Sequence, residues 1–151
     1  MVITTIALND TVDGVKSAIL YSPEPLKRRR NVVITHVKFV SIPTRDQDKA
    51  LAFYTEKLGF RLVTDQPFDG KQRWIEMRIG GSDTHFVLFT TDQSRIGSFF
   101  EGALACDNVE KTYEELKARG VEFMKPPQKE HWGTFAMFKD LDGNQFLLSS
   151  R

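Results

Sequence analysis

Two stretches of equal length, Asp46 to Gly59 (DQDKALAFYTEKLG) and Asp107 to Gly120 (DNVEKTYEELKARG), follow one plan 61 positions apart, and each leads into a similar succession of short apolar runs. Such a duplication restricts the fold more than any single motif, because both copies must bury equivalent faces. In the first copy Leu51, Tyr54 and Leu58 recur at three- and four-residue steps with Ala50 and Phe53 beside them, while Asp48, Lys49, Glu56 and Lys57 form a polar side. That spacing predicts an amphipathic helix. Asp46 is placed to accept from the first N–H groups, Lys57 lies in the last turn and Gly59 supplies a left-handed cap. The second copy carries the stripe Val109, Tyr113 and Leu116, which matches the first best at an offset of 62, and sets Asp107 and Glu110 at capping-box spacing.

The flanking runs read as strands. Val32 to Ile42, rich in β-branched residues, precedes the first helix; Arg61 to Thr64, Gln72 to Ile79 and Thr84 to Thr90 follow it. In Gln72 to Ile79 the set Trp74, Glu76 and Arg78 alternates with Ile75, Met77 and Ile79, so the two sets face opposite ways. Ala103 to Cys106, Val121 to Met124, Thr134 to Lys139 and Gln145 to Ser149 complete the second unit, with Asp142-Gly143-Asn144 as the last hairpin turn. The expected fold is α+β: two tandem β-α-β-β-β units, about 32–91 and 100–151, within one domain at 31–151. One helix covers only one face of each sheet. The other faces are expected to curl around a cleft, the natural place for a ligand.

Residues 1–30 stand apart as an N-terminal extension. Val2 to Leu8 and Val15 to Tyr21 suit short strands, Ser22-Pro23-Glu24-Pro25 breaks regular structure, and Lys27 to Arg30 reads as a solvated linker. With 21 basic and 20 acidic side chains the formal charge is +1, which favours neither nucleic acid nor anionic lipid as a partner. A small molecule or a second copy of the chain is the expected partner. No apolar run reaches the roughly 20 residues of a membrane-spanning helix, and the N-terminus lacks secretory features. Cys106 is the only cysteine, expected as a small buried apolar residue in a reducing compartment. Cytoplasmic residence follows as the expectation.

The segments FVSIPTRDQDKALAFYTEKLGF, ACDNVEKTYEELKARGVEF and GTFAMFKDLDGNQFLLSS resemble the vicinal oxygen chelate superfamily, the group of glyoxalase I, bleomycin-resistance proteins and extradiol dioxygenases. The resemblance runs from about Val32 to Arg151. It implies a cleft in which enzymes of the group hold a divalent metal by side chains from the first and last strands of each unit. The matching positions here are Phe39, Leu88, Glu101 and Leu147, three of which have no donor atom. His36 and His85 lie an odd number of residues from Phe39 and Leu88 and are expected on the opposite face. No metal and no other cofactor is therefore expected.

The expected lining of the cleft is Phe39, Leu88 and Leu147 on its floor and Trp74 beside them, with Glu76, Arg78 and Glu101 as the polar groups that orient a ligand. An ion pair between Arg78 and a glutamate is the structural alternative. A desolvated glutamate with a raised pKa would serve as a base, which makes Glu76 and Glu101 the catalytic candidates. Trp132, in the loop Lys129 to Gly133, either closes the pocket or packs on its own stem, and His131 beside it is a third catalytic candidate. The leading expectation is metal-independent binding of a small, partly apolar or aromatic molecule by a homodimer of the bleomycin-resistance type. The alternative is a glyoxalase-like lyase or dioxygenase-like enzyme, using a displaced metal site or Glu76 and Glu101 as acid and base. A third reading makes the protein a structural or regulatory module whose N-terminal arm contacts a partner.

Overall fold

The computed structural model describes residues 33–90 and 92–150, and those from His36 onward form one compact unit. The extension at 1–30, with the two strands and the basic linker expected there, lies outside the described residues. The first module contains β1 (Phe39–Pro43), α1 (Gln47–Ala52), β2 (Arg61–Pro67), β3 (Arg73–Arg78) and β4 (His85–Phe89). The second contains β5 (Phe99–Ala105), α2 (Val109–Ala118), β6 (Glu122–Glu130), β7 (Gly133–Lys139) and β8 (Gln145–Ser150). Their sheets run in the orders β1-β4-β3-β2 and β5-β8-β7-β6, with the β1/β4 and β5/β8 pairs parallel and the others antiparallel. The duplicated α+β architecture is the one expected from the repeat.

Several boundaries differ from expectation. The first strand starts at Phe39, not Val32, because its partner β4 begins only at His85, opposite Phe39, and among the described residues no strand pairs with 33–38. α1 is capped by Asp46, whose carboxylate accepts from the N–H groups of Asp48 and Lys49 at 3.1 Å each. After six residues it widens into a π-helical turn, Phe53–Lys57, in which the Leu58 N–H donates to the Phe53 carbonyl at 3.4 Å. That turn buries Phe53 and Tyr54 together, and Gly59, at φ 75°, returns the chain so that Phe60 packs on Tyr54. In the second module Asn108, not Asp107, is the cap: its side chain accepts from the Lys111 N–H at 2.7 Å. β6 continues through Pro126 and Pro127 to Glu130, since it is an edge strand and its register slips between Lys125 and Gln128.

The contacts that join the modules lie on their helix-bearing sides. Ile42, Tyr54, Ile75, Met77, Phe86 and Leu88 of the first share one core with Val109, Leu116, Phe138, Phe146 and Leu148 of the second. Phe100 packs on both Phe86 and Phe146, with ring centroids at 5.9 and 5.4 Å. Each large side chain fully buried there stabilises the fold by about 1.5–3 kcal/mol.

A polar joint reinforces that core. The Asp140 carboxylate accepts from the Tyr54 hydroxyl at 2.6 Å, from Asn144 Nδ2 at 2.7 Å, and from the Asp142 and Asn144 N–H groups at 2.9 Å. Asn144 Nδ2 also donates to the Pro43 carbonyl at 2.9 Å, and Asp142 accepts from the Thr44 hydroxyl and from Arg45. The turn Asp140 to Asn144 thus ties the last hairpin to the start of α1. Cys106 is half-buried against the core. Among the described residues no helix is long and apolar enough to cross a membrane.

Candidate functional site

The hydrogen-bond register decides which side chains share the helix-free face of the first sheet. Ile75 lies opposite Leu88 and Met77 opposite Phe86, and all four belong to the core. Glu76 lies opposite Val87, and Arg78 opposite His85. Side chains alternate along a strand, so Trp74, Glu76, Arg78, His85, Val87 and Phe89 occupy the other face. The parallel pairing of β1 with β4 adds Phe39 and Ser41 to it.

Trp74 is the centre of this face. Its ring centroid lies 5.3 Å from Phe39 and 5.6 Å from Phe89, both edge-on, and 5.5 Å from Phe68 in the turn after β2. Val87 is fully buried without belonging to the shared core, which fits a position under this aromatic layer. Phe68 is 55% exposed and Phe39 37%. The layer therefore presents open ring surface, a natural bed for a flat apolar partner.

Beside the rings is a polar triplet. Trp74 Nε1 donates to Glu76 Oε2 at 3.2 Å, and His85 Nδ1 lies 2.5 Å from Glu76 Oε1. Burial acts to raise the Glu76 pKa. The hydrogen bonds from His85 and Trp74 and the charges of His85 and Lys38 outweigh it, so the carboxyl is held below its usual range. Glu76 is thus an ionised acceptor, not the raised-pKa base expected from desolvation.

The structure brings Trp74, Glu76 and Arg78 to one face, as the strand alternation implied, adds Phe39 to it through the β1/β4 pairing, and separates the rest. Leu88, expected on the cleft floor, is 0% exposed in the core. His85, expected to point away, is on the face itself. The reason is that Phe86-Val87-Leu88-Phe89 is apolar on both sides, so only its pairing with β3 sets its parity. His36 lies in the exposed segment before β1, where strand parity does not apply. The hydrogen-bond partner of Glu76 is His85 rather than Arg78.

Glu101 lines a different cavity, about 560 Å3 between β1 and β5, with Ser41, Pro43, Arg95 and Phe99. Leu147 lies opposite Ala103 and Met137 on the helix-free face of the second sheet. Trp132 borders another cavity of about 540 Å3 with Ala103, Ala105 and Cys106, and stacks at 5.3 Å on Phe135, the third residue of β7 in its own stem. His131 is exposed in the turn between β6 and β7. Sequence reasoning missed His85, Phe68 and Phe89; the alternation of Trp74 and Glu76, carried across to β4, finds His85 and Phe89, while Phe68, in the turn after β2, has no such signal.

A resident divalent metal does not fit these residues. Phe39 and Leu147 offer no donor atom, Leu88 is in the core, and among the described residues no group of three or more His, Cys, Asp or Glu side chains converges.

A pair of β-α-β-β-β modules with matching four-stranded sheets is the vicinal oxygen chelate fold. The chain belongs to the Glyoxalase/Bleomycin resistance protein/Dioxygenase superfamily, whose family model matches residues 34–148. It is similar to TnmS3, an antibiotic binding protein from Streptomyces sp. CB03234, at 36% identity and a TM-score of 0.71 over 78% of this chain and 97% of that one. A superfamily member from Sphaerobacter thermophilus DSM 20745 is 33% identical, with a TM-score of 0.73 over 78% of this chain and 98% of that one. The uncharacterized protein YetH of Bacillus subtilis (strain 168) is 37% identical over 122 residues, 77% of this chain and 98% of its own length.

Proposed function

We propose that the helix-free face of the first sheet binds a small, partly apolar or aromatic molecule without a resident metal. The observation that carries this reading is the open aromatic layer of Phe39, Phe68, Trp74 and Phe89 around a single polar triplet. The likeness to an antibiotic binding protein at 36% identity supports it. A face this open buries only one side of a ligand, and a second copy of the chain is the cover that fits: a homodimer in the cytoplasm, each chain closing the other's face. The residues that would touch the ligand are Phe39, Trp74, Glu76, Arg78 and His85.

The test is quenching of tryptophan fluorescence by planar aromatic compounds, read in the wild type, in Trp132→Phe and in Trp74→Phe, alongside light scattering for the oligomeric state. Saturable quenching that survives in Trp132→Phe and is lost in Trp74→Phe is the expected result. Quenching that disappears only in Trp132→Phe would move the site to the second sheet. One observation favours a second reading, a lyase-like enzyme: the hydrogen-bonded Glu76 and His85 pair is a proton-transfer group beside the same face. Turnover of an added α-hydroxy carbonyl compound, lost in His85→Gln, would establish that reading instead.

A further inference from the structure

A purely apolar binding face has no use for a carboxylate, and this one has a half-buried carboxylate whose two oxygens are both engaged. Oε2 accepts from the indole N–H of Trp74, and Oε1 faces His85 Nδ1 at 2.5 Å. An ionised carboxylate only accepts, so Nδ1 carries the hydrogen. In the neutral imidazole that leaves Nε2 with a lone pair and no hydrogen. Among the described residues nothing hydrogen-bonds to Nε2, and the His85 side chain keeps 23% of its surface exposed against 13% for Glu76. The imidazole is the accessible end of the pair. Two basic side chains stand near it: Arg78, its register partner on β3, and Lys38, whose charge acts on Glu76 from the residue before β1.

We propose that His85, with its tautomer set by Glu76, is the specificity-determining acceptor of this face and selects planar aromatic molecules that carry an acidic hydroxyl. Such a hydroxyl donates to Nε2, and the negative charge that builds on its oxygen is favoured by Arg78 and Lys38. Glu76 acts as a positioning residue, through His85. The inference rests on the aromatic-binding reading above and deepens it.

The probes are 2-naphthol and 2-methoxynaphthalene, which share a ring system and differ in whether the oxygen can donate. Wild-type protein is expected to bind 2-naphthol about tenfold more tightly, the discrimination one hydrogen bond supplies. Glu76→Gln makes a sharper demand. The indole N–H can only donate, so it takes the amide oxygen, which leaves the amide NH2 facing Nδ1 and moves the imidazole hydrogen to Nε2. The preference is then expected to vanish or reverse toward the methoxy compound, with both still bound. His85→Phe is expected to bind both equally, and His85→Gln, which keeps an acceptor, to restore part of the preference. Thermal denaturation of each variant checks that it is folded. Equal binding of the two probes by wild type, or an undiminished tenfold preference in folded Glu76→Gln, overturns this inference and leaves the aromatic face standing. Binding of neither probe overturns both.

Discussion

Removing one hydroxyl at the joint between the modules measures what holds them together. In Tyr54→Phe the ring stays in place and the 2.6 Å hydrogen bond to Asp140 is lost. Tyr54 is 1% exposed, so no water replaces it, and a hydrogen bond to a charged group contributes about 1.5–3 kcal/mol. The variant is expected to lose about 2 kcal/mol at pH 7, a fall in Tm of about 6 °C for a chain of this size. The loss should depend on pH in a definite direction. Burial, then the Asp140 charge, push the Tyr54 phenol well above its ordinary value of 10.0. A group whose folded-state pKa is raised contributes stability that is complete below its unfolded pKa and disappears as pH climbs past it. The gap between wild type and Tyr54→Phe should therefore be constant from pH 7 to about 10 and shrink by about 1.4 kcal/mol per further pH unit. Urea unfolding of both proteins at stepped pH reads it, and the difference cancels the other tyrosines. A gap that stays constant above pH 10, or widens, would refute a buried neutral phenol donating to Asp140.

Three further substitutions test the fold around the site. Leu88→Ala should cost about 2–5 kcal/mol in urea unfolding and leave probe affinity within about twofold, the signature of a core residue rather than a cleft floor. Asn108→Ala should lower stability by about 1 kcal/mol while Asp107→Ala changes it little, as thermal melts of the two variants would reveal. Gly59→Ala, with φ at 75° and nothing within 4 Å of an added Cβ, should cost about 1 kcal/mol from backbone strain alone, measurable as a shift in the urea midpoint.

Much of this architecture could be read from residue order. The duplicated Asp-to-Gly helices, the alternation of Trp74 and Glu76 against Ile75 and Met77, and the Asp142-Gly143-Asn144 turn are local signals, and local physics produced them. What failed was parity on β4. A strand flanked on both sides by others and buried on both faces has no polar face to mark its orientation, so Leu88 and His85 exchanged roles. The cap of α2 slipped by one because Asp107 and Asn108 are adjacent and either can accept from a helix N–H. The partnership of Glu76 with His85 links residues on two strands and becomes visible only with the register.

The joint between the modules has a consequence for synthesis. Tyr54 and Pro43 are translated well before their partners Asp140 and Asn144, which lie 86 and 101 residues further along the chain. The first module thus emerges without the groups that lock it, so its consolidation waits on the hairpin of β7 and β8.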